Sequence, residues 1–287
     1  MATRELTLVK ERKLSDLITA PRGSSVLEAS GVVVKGGAYY VIFDNIRGIA
    51  RIDPSLSPTS KRHGWLGRLR SGEGYEDIAY SPQLRRFFLL VEAEKHRDGT
   101  YKGIIDECDE HGAFKARRWV DFTFKKRNTG FEGLFAIRWQ RRDYLLALCE
   151  GNRCKAGKEG RRGGGGRIQV LARKGAGWTS VAVIKLPRTL DFEDYSAVSL
   201  RGDRIAVISQ QDSRLWIGTL RRGSWTIAGR GRTYDFPRTK AGKPRYCTLE
   251  GLCWLNDRTI VLVSDLSKRS YRAKCDKKDQ SIHIFRL

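Results

Sequence analysis

The stretch FEGLFAIRWQRRDYLLALCE, residues 131–150, contains the unit on which the fold prediction rests. It starts with an aromatic residue and Glu132, and it continues as an apolar run up to the polar residues 140–143. A second, more continuously apolar run then leads to Glu150. Both runs have the length and composition of β-strands. Because the strands of a hairpin run antiparallel, the stretch predicts two carboxylates at the open end of one hairpin.

The same unit recurs along the chain, and such internal repeats indicate a stacked or circular array. The five segments are LEASGVVV from Leu27, YEDIAYSP from Tyr75, FEGLFAIR from Phe131, FEDYSAVSL from Phe192 and LEGLCWLND from Leu249. Their glutamates are Glu28, Glu76, Glu132, Glu193 and Glu250, spaced 48, 56, 61 and 57 residues apart. Second and third apolar runs follow in every repeat, and a fourth run follows in the first four.

The fifth repeat ends at Leu287 on its third run, whereas the N-terminal segment ELTLVKERKL has no partner in a repeat of its own. If this segment lies on the outer edge of the last repeat, the ring closes and the sheet edges are hidden. We therefore predict an all-β, five-bladed β-propeller closed by an N-terminal outer strand, with residues 1–287 as a single domain. The alternative is a β-sandwich in which the EG and ED dipeptides recur by chance.

Acidic residues also end most of the second runs, so nine carboxylates and a glutamine are expected at one mouth of the channel. So many like charges require raised pKa values or a counter-cation, and oxygen-only ligands favour Ca²⁺ before Mg²⁺ or Mn²⁺. The predicted metal ligands are Glu28, Glu76, Glu132, Glu193, Glu250, Asp44 and Asp265. The alternative is a latch, in which each glutamate accepts hydrogen bonds from a neighbouring blade or pairs with an arginine.

The chain carries 55 Lys and Arg against 32 Asp and Glu, a net charge of +23 that favours anionic partners. In the loops expected at the same mouth, the predicted anion-binding residues are Arg22, Lys95, Arg153, Lys155, Lys268 and Arg269. The predicted catalytic residues are Glu132, Glu150 and His96. The stretch GNRCKAGKEGRRGGGGR from Gly151 does not match a P-loop, and we interpret it as a mobile loop.

Six cysteines without a CxxC pair argue against a zinc ribbon or a dense disulfide scaffold, so we expect reduced thiols. The charged N-terminus and the absence of a long apolar run predict neither a signal peptide nor a transmembrane helix. We therefore expect a cytoplasmic protein, and a monomer.

Three stretches resemble the SdiA-regulated protein family and the related esterase-like phytase propellers. They are NTGFEGLFAIRWQRRDYLLALCEGN, DFEDYSAVSLRGDRIAVISQQDSRLWIGTL, and TLEGLCWLNDRTIVLVSD with the closing SIHIFRL. They cover residues 128–287, with looser similarity over 26–95. The resemblance implies a propeller with a calcium-type ion in its channel. The chain departs from the family in its excess of Lys and Arg and in lacking the signal peptide of exported members, although export would be allowed if a signal peptide had been removed.

These features predict a metal-dependent hydrolase that acts on an anionic, phosphorylated small molecule at the channel mouth. The alternative is a non-catalytic propeller in which the ion is structural and the basic rim binds a polyanion, either nucleic acid or an acidic partner. Nucleic acid is not favoured, because the mouth loops contain few aromatic residues for base stacking.

Overall fold

The computed structural model describes residues 4–70, 74–127, 129–267 and 278–287. Strands account for 57% of the structure and helices for 4%, so the prediction of an all-β chain is confirmed. The helical pieces are single turns at Leu14–Asp16, Asn152–Cys154 and Gly157–Gly160. Within the described ranges, no helix is long and apolar enough to cross a membrane.

The strands follow the repeats of the sequence closely. The first ten are β1 (Arg4–Glu5), β2 (Thr7–Lys13), β3 (Ala29–Lys35), β4 (Ala38–Phe43), β5 (Arg47–Ile52), β6 (Gly64–Arg70), β7 (Ile78–Ser81), β8 (Arg86–Lys95), β9 (Tyr101–Asp109) and β10 (Phe114–Phe124). The next eight are β11 (Phe131–Trp139), β12 (Arg142–Cys149), β13 (Arg167–Lys174), β14 (Gly177–Lys185), β15 (Ala197–Arg201), β16 (Arg204–Ser209), β17 (Arg214–Arg221) and β18 (Thr226–Asp235). The last three are β19 (Leu249–Asn256), β20 (Thr259–Ser264) and β21 (Ser281–Arg286).

Hydrogen bonding places the described strands in four sheets, whereas the repeats predict five. The strand orders are β3-β4-β5-β6, β11-β12-β13-β14-β10-β9-β8-β7, β1-β18-β17-β16-β15 and β19-β20-β21-β2. The eight-stranded sheet arises because β10 and β14 pair in parallel over two residues each, Val120 with Trp178 and Asp121 with Thr179. One antiparallel meander lies on each side of this short contact: β7–β10 on one side and β11–β14 on the other. Each meander corresponds to one repeat.

The core lies between neighbouring sheets. The second strand of each repeat is buried over most of its length, whereas the outer strands β10, β14 and β18 are largely exposed or half-buried. Successive side chains of a strand point to opposite faces, so Leu145 and Leu146 of β12 belong to two different apolar clusters. Val207 and Ile208 of β16 divide in the same way.

The first strands of the repeats contact one another in sequence. Strand β3 contacts β7 and β19, strand β11 contacts β7 and β15, and β15 contacts β19. These contacts return to their starting point, so the sheets are arranged as in a propeller.

The N-terminal strand pairs with the C-terminal one, as the sequence predicts. Strand β2 runs antiparallel to β21, with Thr7 opposite Arg286 and Lys13 opposite Ser281. On this strand the Glu11 carboxylate accepts hydrogen bonds from Nδ1 of the buried His283 at 3.3 Å, from Lys278 Nζ, and from the Tyr246 hydroxyl at 3.5 Å. Bonding to His283 and Lys278 lowers the pKa of Glu11 to about 2. Burial lowers the pKa of His283.

The expectation of reduced thiols is wrong for part of the chain. Cys149 and Cys154 form a disulfide, and Cys247 is also disulfide-bonded, whereas Cys108 and Cys253 are buried thiols outside any disulfide. Cys149 ends strand β12 and Cys154 lies in the 3₁₀ turn that follows. The strand-and-turn geometry therefore brings together two cysteines whose spacing matches no standard motif.

Candidate functional site

A cavity of about 200 Å³ lies where the first strands of four repeats begin. It is lined by Glu28, Asp44, Glu76, Glu132, Glu250, Asp265 and Leu266, and we call it the carboxylate cavity. The glutamates stand at or just before the first strands, and the aspartates stand just after the second strands β4 and β20. Since the two strands form an antiparallel hairpin, these positions are neighbours at one end of each sheet. The structure therefore brings together six of the seven predicted metal ligands.

The carboxylates of the cavity repel one another. Burial, followed by the charges of Asp44 and Glu92, raises the pKa of Glu76 to about 8. Burial also raises the pKa of Glu132 well above its usual range, with Glu76 and Glu150 as the largest contributing charges. The pKa of Glu250 is raised in the same way, by burial and by Asp265.

One of these glutamates also takes part in a contact of the latch type. The Gln210 amide donates a hydrogen bond to Glu250 Oε1 at 2.9 Å. This contact lowers the pKa of Glu250, but by less than burial raises it. Gln210 precedes strand β17, whereas Glu250 lies on β19. The amide group thus occupies the position at the mouth for which the sequence predicts a glutamine.

The donor atoms of the carboxylate cavity fit a hard divalent cation, because all of them are oxygens and most are carboxylates. In the part of the chain that the structure describes, no three His, Cys, Asp or Glu side chains are arranged as a ligand group. A cation would be held by Glu76, Glu132 and Glu250, whose pKa values are raised first by burial and then by neighbouring carboxylates.

A second cavity of about 180 Å³, which we call the side cavity, adjoins the first. Its polar lining includes Glu150, Lys155, Arg161, Glu193, Asp194 and Gln210. Glu150 also acts electrostatically on Glu76 and Glu132, and Gln210 bonds to Glu250, so the two cavities share a boundary.

The fourth repeat differs from the sequence prediction, because neither of its two adjacent acids lines the carboxylate cavity. Glu193 is exposed and lines the side cavity rather than the carboxylate cavity. Its neighbour Asp194 is half-buried, and burial raises its pKa to about 6 although the Ser209 hydroxyl donates to it. The backbone N–H of Gln211 also donates to Asp194 at 3.1 Å. This repeat contains two adjacent acids, and only the structure distinguishes them.

The structure places the other predicted site residues outside the carboxylate cavity. The His96 ring faces Asp98 at 3.0 Å and packs edge-on against Trp119, in the turn between β8 and β9. Arg22, Lys95 and Arg153 are exposed. Lys155 lines the side cavity, where it pairs with Glu159 at 2.6 Å. Lys268 and Arg269 lie outside the described residues.

The glycine-rich stretch expected to be a mobile loop is organised around the fully buried Asn152. The Asn152 amide donates to the carbonyls of Gly160 at 2.8 Å and Phe192 at 2.9 Å. Its oxygen accepts from the Gly165 N–H at 2.8 Å and from the Tyr195 hydroxyl at 3.0 Å. These bonds fix the backbone beside Glu150 and therefore the wall of the side cavity.

Sequence reasoning missed the residues that join neighbouring sheets by hydrogen bonds to the backbone. The buried Asp77 accepts from the N–H of Leu134 on β11 at 2.6 Å, and burial raises its pKa well above the usual range. The Ser30 hydroxyl donates to the carbonyl of Tyr75, and the Ser196 hydroxyl donates to that of Leu249 at 3.0 Å. In the sequence, the only sign of these links was the second acid, Asp77, directly after Glu76. Latches therefore exist, formed mainly by the residues next to the glutamates.

No protein-family model and no curated protein sequence matches the chain, so the resemblance to the SdiA-regulated and phytase propellers is not confirmed. Solved structures do resemble it. Glutaminyl cyclase from Myxococcus xanthus shares 12% identity and a TM-score of 0.57, covering 99% of this chain and 97% of that one. A PQQ-bound aldose sugar dehydrogenase from Streptomyces coelicolor shares 14% identity and a TM-score of 0.47, covering 96% and 98%. A putative glucose dehydrogenase from Thermus thermophilus shares 11% identity and a TM-score of 0.46, covering 97% and 99%. The first of these supports a propeller-like fold.

Proposed function

We propose that this chain is a five-bladed propeller whose carboxylate cavity binds a divalent cation, Ca²⁺ before Mg²⁺ or Mn²⁺, and that it hydrolyses an anionic ester there. The observation that carries the proposal is the cluster of buried carboxylates with raised pKa values. The enzymes among the structural neighbours are compatible with a catalytic role.

The five-blade count rests on the meanders and their contacts. Strands β7–β10 and β11–β14 each form a complete four-stranded meander, and they share only the short parallel contact between β10 and β14. Counted separately, they bring the number of units to five. The contacts among β3, β7, β11, β15 and β19 run in a ring of the same number.

The case for a cation is electrostatic. Carboxylates that are close together and poorly hydrated cannot all stay ionised unless a positive charge compensates them. The protein has an excess of Lys and Arg, yet the described residues that line the carboxylate cavity include none of them. A divalent ion would supply positive charge beside Glu76 and return it to its ionised form near neutral pH.

The residues of the two cavities divide the chemistry between them. A bound cation would polarise the carbonyl or phosphoryl group of the ester and stabilise the charge that develops on its oxygen. Glu150, at the boundary of the two cavities, would take a proton from the attacking water as general base and return it to the departing alcohol oxygen. Lys155 and Arg161 in the side cavity would bind the anionic part of the substrate. His96 lies in the β8–β9 turn against Trp119 and lines neither cavity, so we assign it no role in the proposed reaction.

The substitution Glu132→Gln tests the cation site. Calcium that binds only the folded protein stabilises it by about 2.7 kcal/mol at a concentration 100 times its dissociation constant. We expect Ca²⁺ to raise the Tm of the wild type, EDTA to reverse the rise, and Glu132→Gln to diminish it. Glu94→Gln is the matched control, because Glu94 is an acid of β8 that does not line the cavity.

Elemental analysis and a hydrolysis screen complete the test. We expect phosphoesters or sugar lactones to be hydrolysed with Ca²⁺ and not with EDTA, and Glu150→Gln to lose the activity while keeping the calcium-dependent Tm. A wild type that carries no metal and responds to neither Ca²⁺ nor EDTA would contradict both the cation and the hydrolase. Calcium binding without hydrolysis of any ester would instead support the polyanion-binding alternative, which the net charge of +23 favours.

The disulfide bears on the cellular location. Disulfides form and persist in oxidising compartments and are rare in the cytosol. We therefore propose that the protein works in an oxidising compartment, in place of the cytoplasmic expectation, on the basis of the Cys149–Cys154 bond.

A further inference from the structure

A larger cleft, of about 800 Å³, lies at the opposite end of the sheets from the carboxylate cavity. It includes residues of the β7–β8 turn and of the β11–β12 turn, such as Leu84 and Arg141. Glu132 stands at the other end of β11 from Arg141, roughly 25–30 Å away along the strand. The proposed hydrolytic site and this cleft are therefore separate places in the molecule.

Arginines dominate the charge of the cleft. Its lining includes Arg86, Arg141, Arg142 and Arg173 against the two acids Glu107 and Asp143, and we call it the arginine cleft. Glu107 is buried, with 3% of its side chain exposed. It accepts hydrogen bonds from Arg86 at 2.9 Å, from Arg118 at 2.8 Å and from Arg173. One carboxylate thus holds three guanidinium groups and balances the charge of only one.

Arg141 and Arg142 add further positive charge at the rim. Both are exposed, and among the described residues neither forms an ion pair. The turn that carries Arg141 has positive φ at both central residues, 46° at Gln140 and 63° at Arg141. Such a turn favours asparagine and glycine, and here glutamine and arginine occupy it.

The wall of the cleft also contains an unpaired hydrogen-bond donor. The Trp178 side chain is 3% exposed and lines the cleft, and its Nε1 has no hydrogen-bond partner among the described residues. A buried N–H without an acceptor is destabilising. The Trp178 ring packs edge-on against Phe88 at 5.6 Å, and Arg173 lies over it at 5.4 Å. The Trp178 ring and the Arg173 guanidinium therefore form an aromatic and cationic part of the cleft wall, whereas Nε1 itself is buried.

Apolar surface completes the lining. Leu84 and Val181 line the cleft and are 42% and 57% exposed, unusually high values for large apolar side chains. Phe88 and Tyr144 add aromatic surface to the same walls. The cleft therefore offers cationic groups and an apolar, partly aromatic surface within one concave volume, the combination typical of a small-molecule site.

We propose that the arginine cleft binds a small organic anion, an oxyanion group attached to an aromatic or aliphatic body. The oxyanion pairs with the guanidinium groups, bidentate where geometry allows. The apolar body of the ligand covers Leu84 and Val181. Carboxylate and phosphate ligands share this chemistry, and the experiment separates them.

Isothermal titration calorimetry with benzoate, phenyl phosphate and the neutral analogue benzamide tests the site. We expect at least one of the two anions to bind at least tenfold more tightly than benzamide. Affinity for phenyl phosphate alone would identify a phosphate ligand, and affinity for benzoate alone a carboxylate. The double substitution of Arg141→Gln and Arg142→Gln should weaken binding about tenfold, the effect of losing one charged hydrogen bond.

Two further variants make the result specific to this cleft. Leu84→Ala removes part of the exposed apolar surface of the cleft, so binding of the ligand's apolar body should weaken about fivefold. Arg221→Gln, at an exposed arginine of β17, is the charge-matched control and should bind as the wild type does. Binding should be the same with Ca²⁺ or EDTA and in Glu132→Gln, so this site and the proposed hydrolytic site can fail independently.

The proposal is overturned if neither anion binds better than benzamide. It is also overturned if the double arginine variant binds both anions as tightly as the wild type does. Because Arg141 and Arg142 are exposed and form no described ion pair, their replacement should leave the Tm unchanged, and thermal unfolding of each variant checks this.

Discussion

The hydrogen bonds of Asp77 provide a quantitative test of how neighbouring sheets are held together. One carboxylate oxygen accepts from the N–H of Ile78 at 2.8 Å and the other from the N–H of Leu134 at 2.6 Å, in a buried position. Asp77→Asn keeps the shape of the side chain but leaves one oxygen, so one of the two buried donors loses its acceptor. The expected cost is about 1–3 kcal/mol. Asp77→Ala removes both acceptors and should cost about 2–6 kcal/mol.

Equilibrium unfolding in urea measures both effects, with tryptophan fluorescence and circular dichroism as independent probes of a single transition. The control is Asp203→Asn, since Asp203 is an exposed acid whose ion pair with Arg222 should change stability by no more than about 0.5 kcal/mol. If Asp77→Ala unfolds within about 1 kcal/mol of the wild type, Asp77 does not link β7 to β11, and apolar packing rather than this carboxylate holds the two meanders together.

Three further predictions concern the chain ends and the disulfide. Deleting residues 4–13 removes the outer strand of the last sheet and should lower the free energy of unfolding by several kcal/mol; a truncated protein that melts like the full chain would contradict ring closure. The folded pKa of Glu11, about 2, lies below its usual 4.5, so its stabilising contribution is complete above pH 4.5 and lost as the pH falls towards 2. Glu11→Gln should therefore flatten the decline of Tm over that window, and an unchanged slope would show that the pair with His283 is not formed. Cys154→Ser opens a short loop and should cost about 2 kcal/mol under non-reducing conditions, whereas a free thiol titre of the wild type that includes Cys149 would rule out the bond.

The strands and their order could be predicted because each repeat combines apolar runs of strand length with turns at regular positions. The carboxylate cavity followed from the same regularity, since an acid at the start of one strand and another at the end of the next must meet at one edge of a hairpin. The position of the acid in the fourth repeat could not be predicted. Glu193 and Asp194 are adjacent acids in the segment before β15, where no strand periodicity indicates which side chain is buried.

Other features depend on contacts between distant parts of the chain and leave no local signal. The parallel contact of β10 with β14 requires two outer strands to approach, and neither sequence specifies that approach. The arginine cleft draws on turns of separate repeats, so its residues do not form a motif. The Cys149–Cys154 bond depends on the turn after β12. The glycine-rich composition of that stretch gives no sign of this turn.

The pairing of the first and last strands also imposes an order on biosynthesis. Glu11 and His283, which bond across β2 and β21, are 272 residues apart. At a translation rate of about 5–20 residues per second, the N-terminal strand waits roughly 15–55 s for its partner to emerge from the ribosome. During that interval β2 has no partner along its β21 edge, and an unpaired strand edge is a template for association with other chains. The nascent chain therefore has a period of exposure in which a chaperone that holds its N-terminus would raise the yield of folded protein.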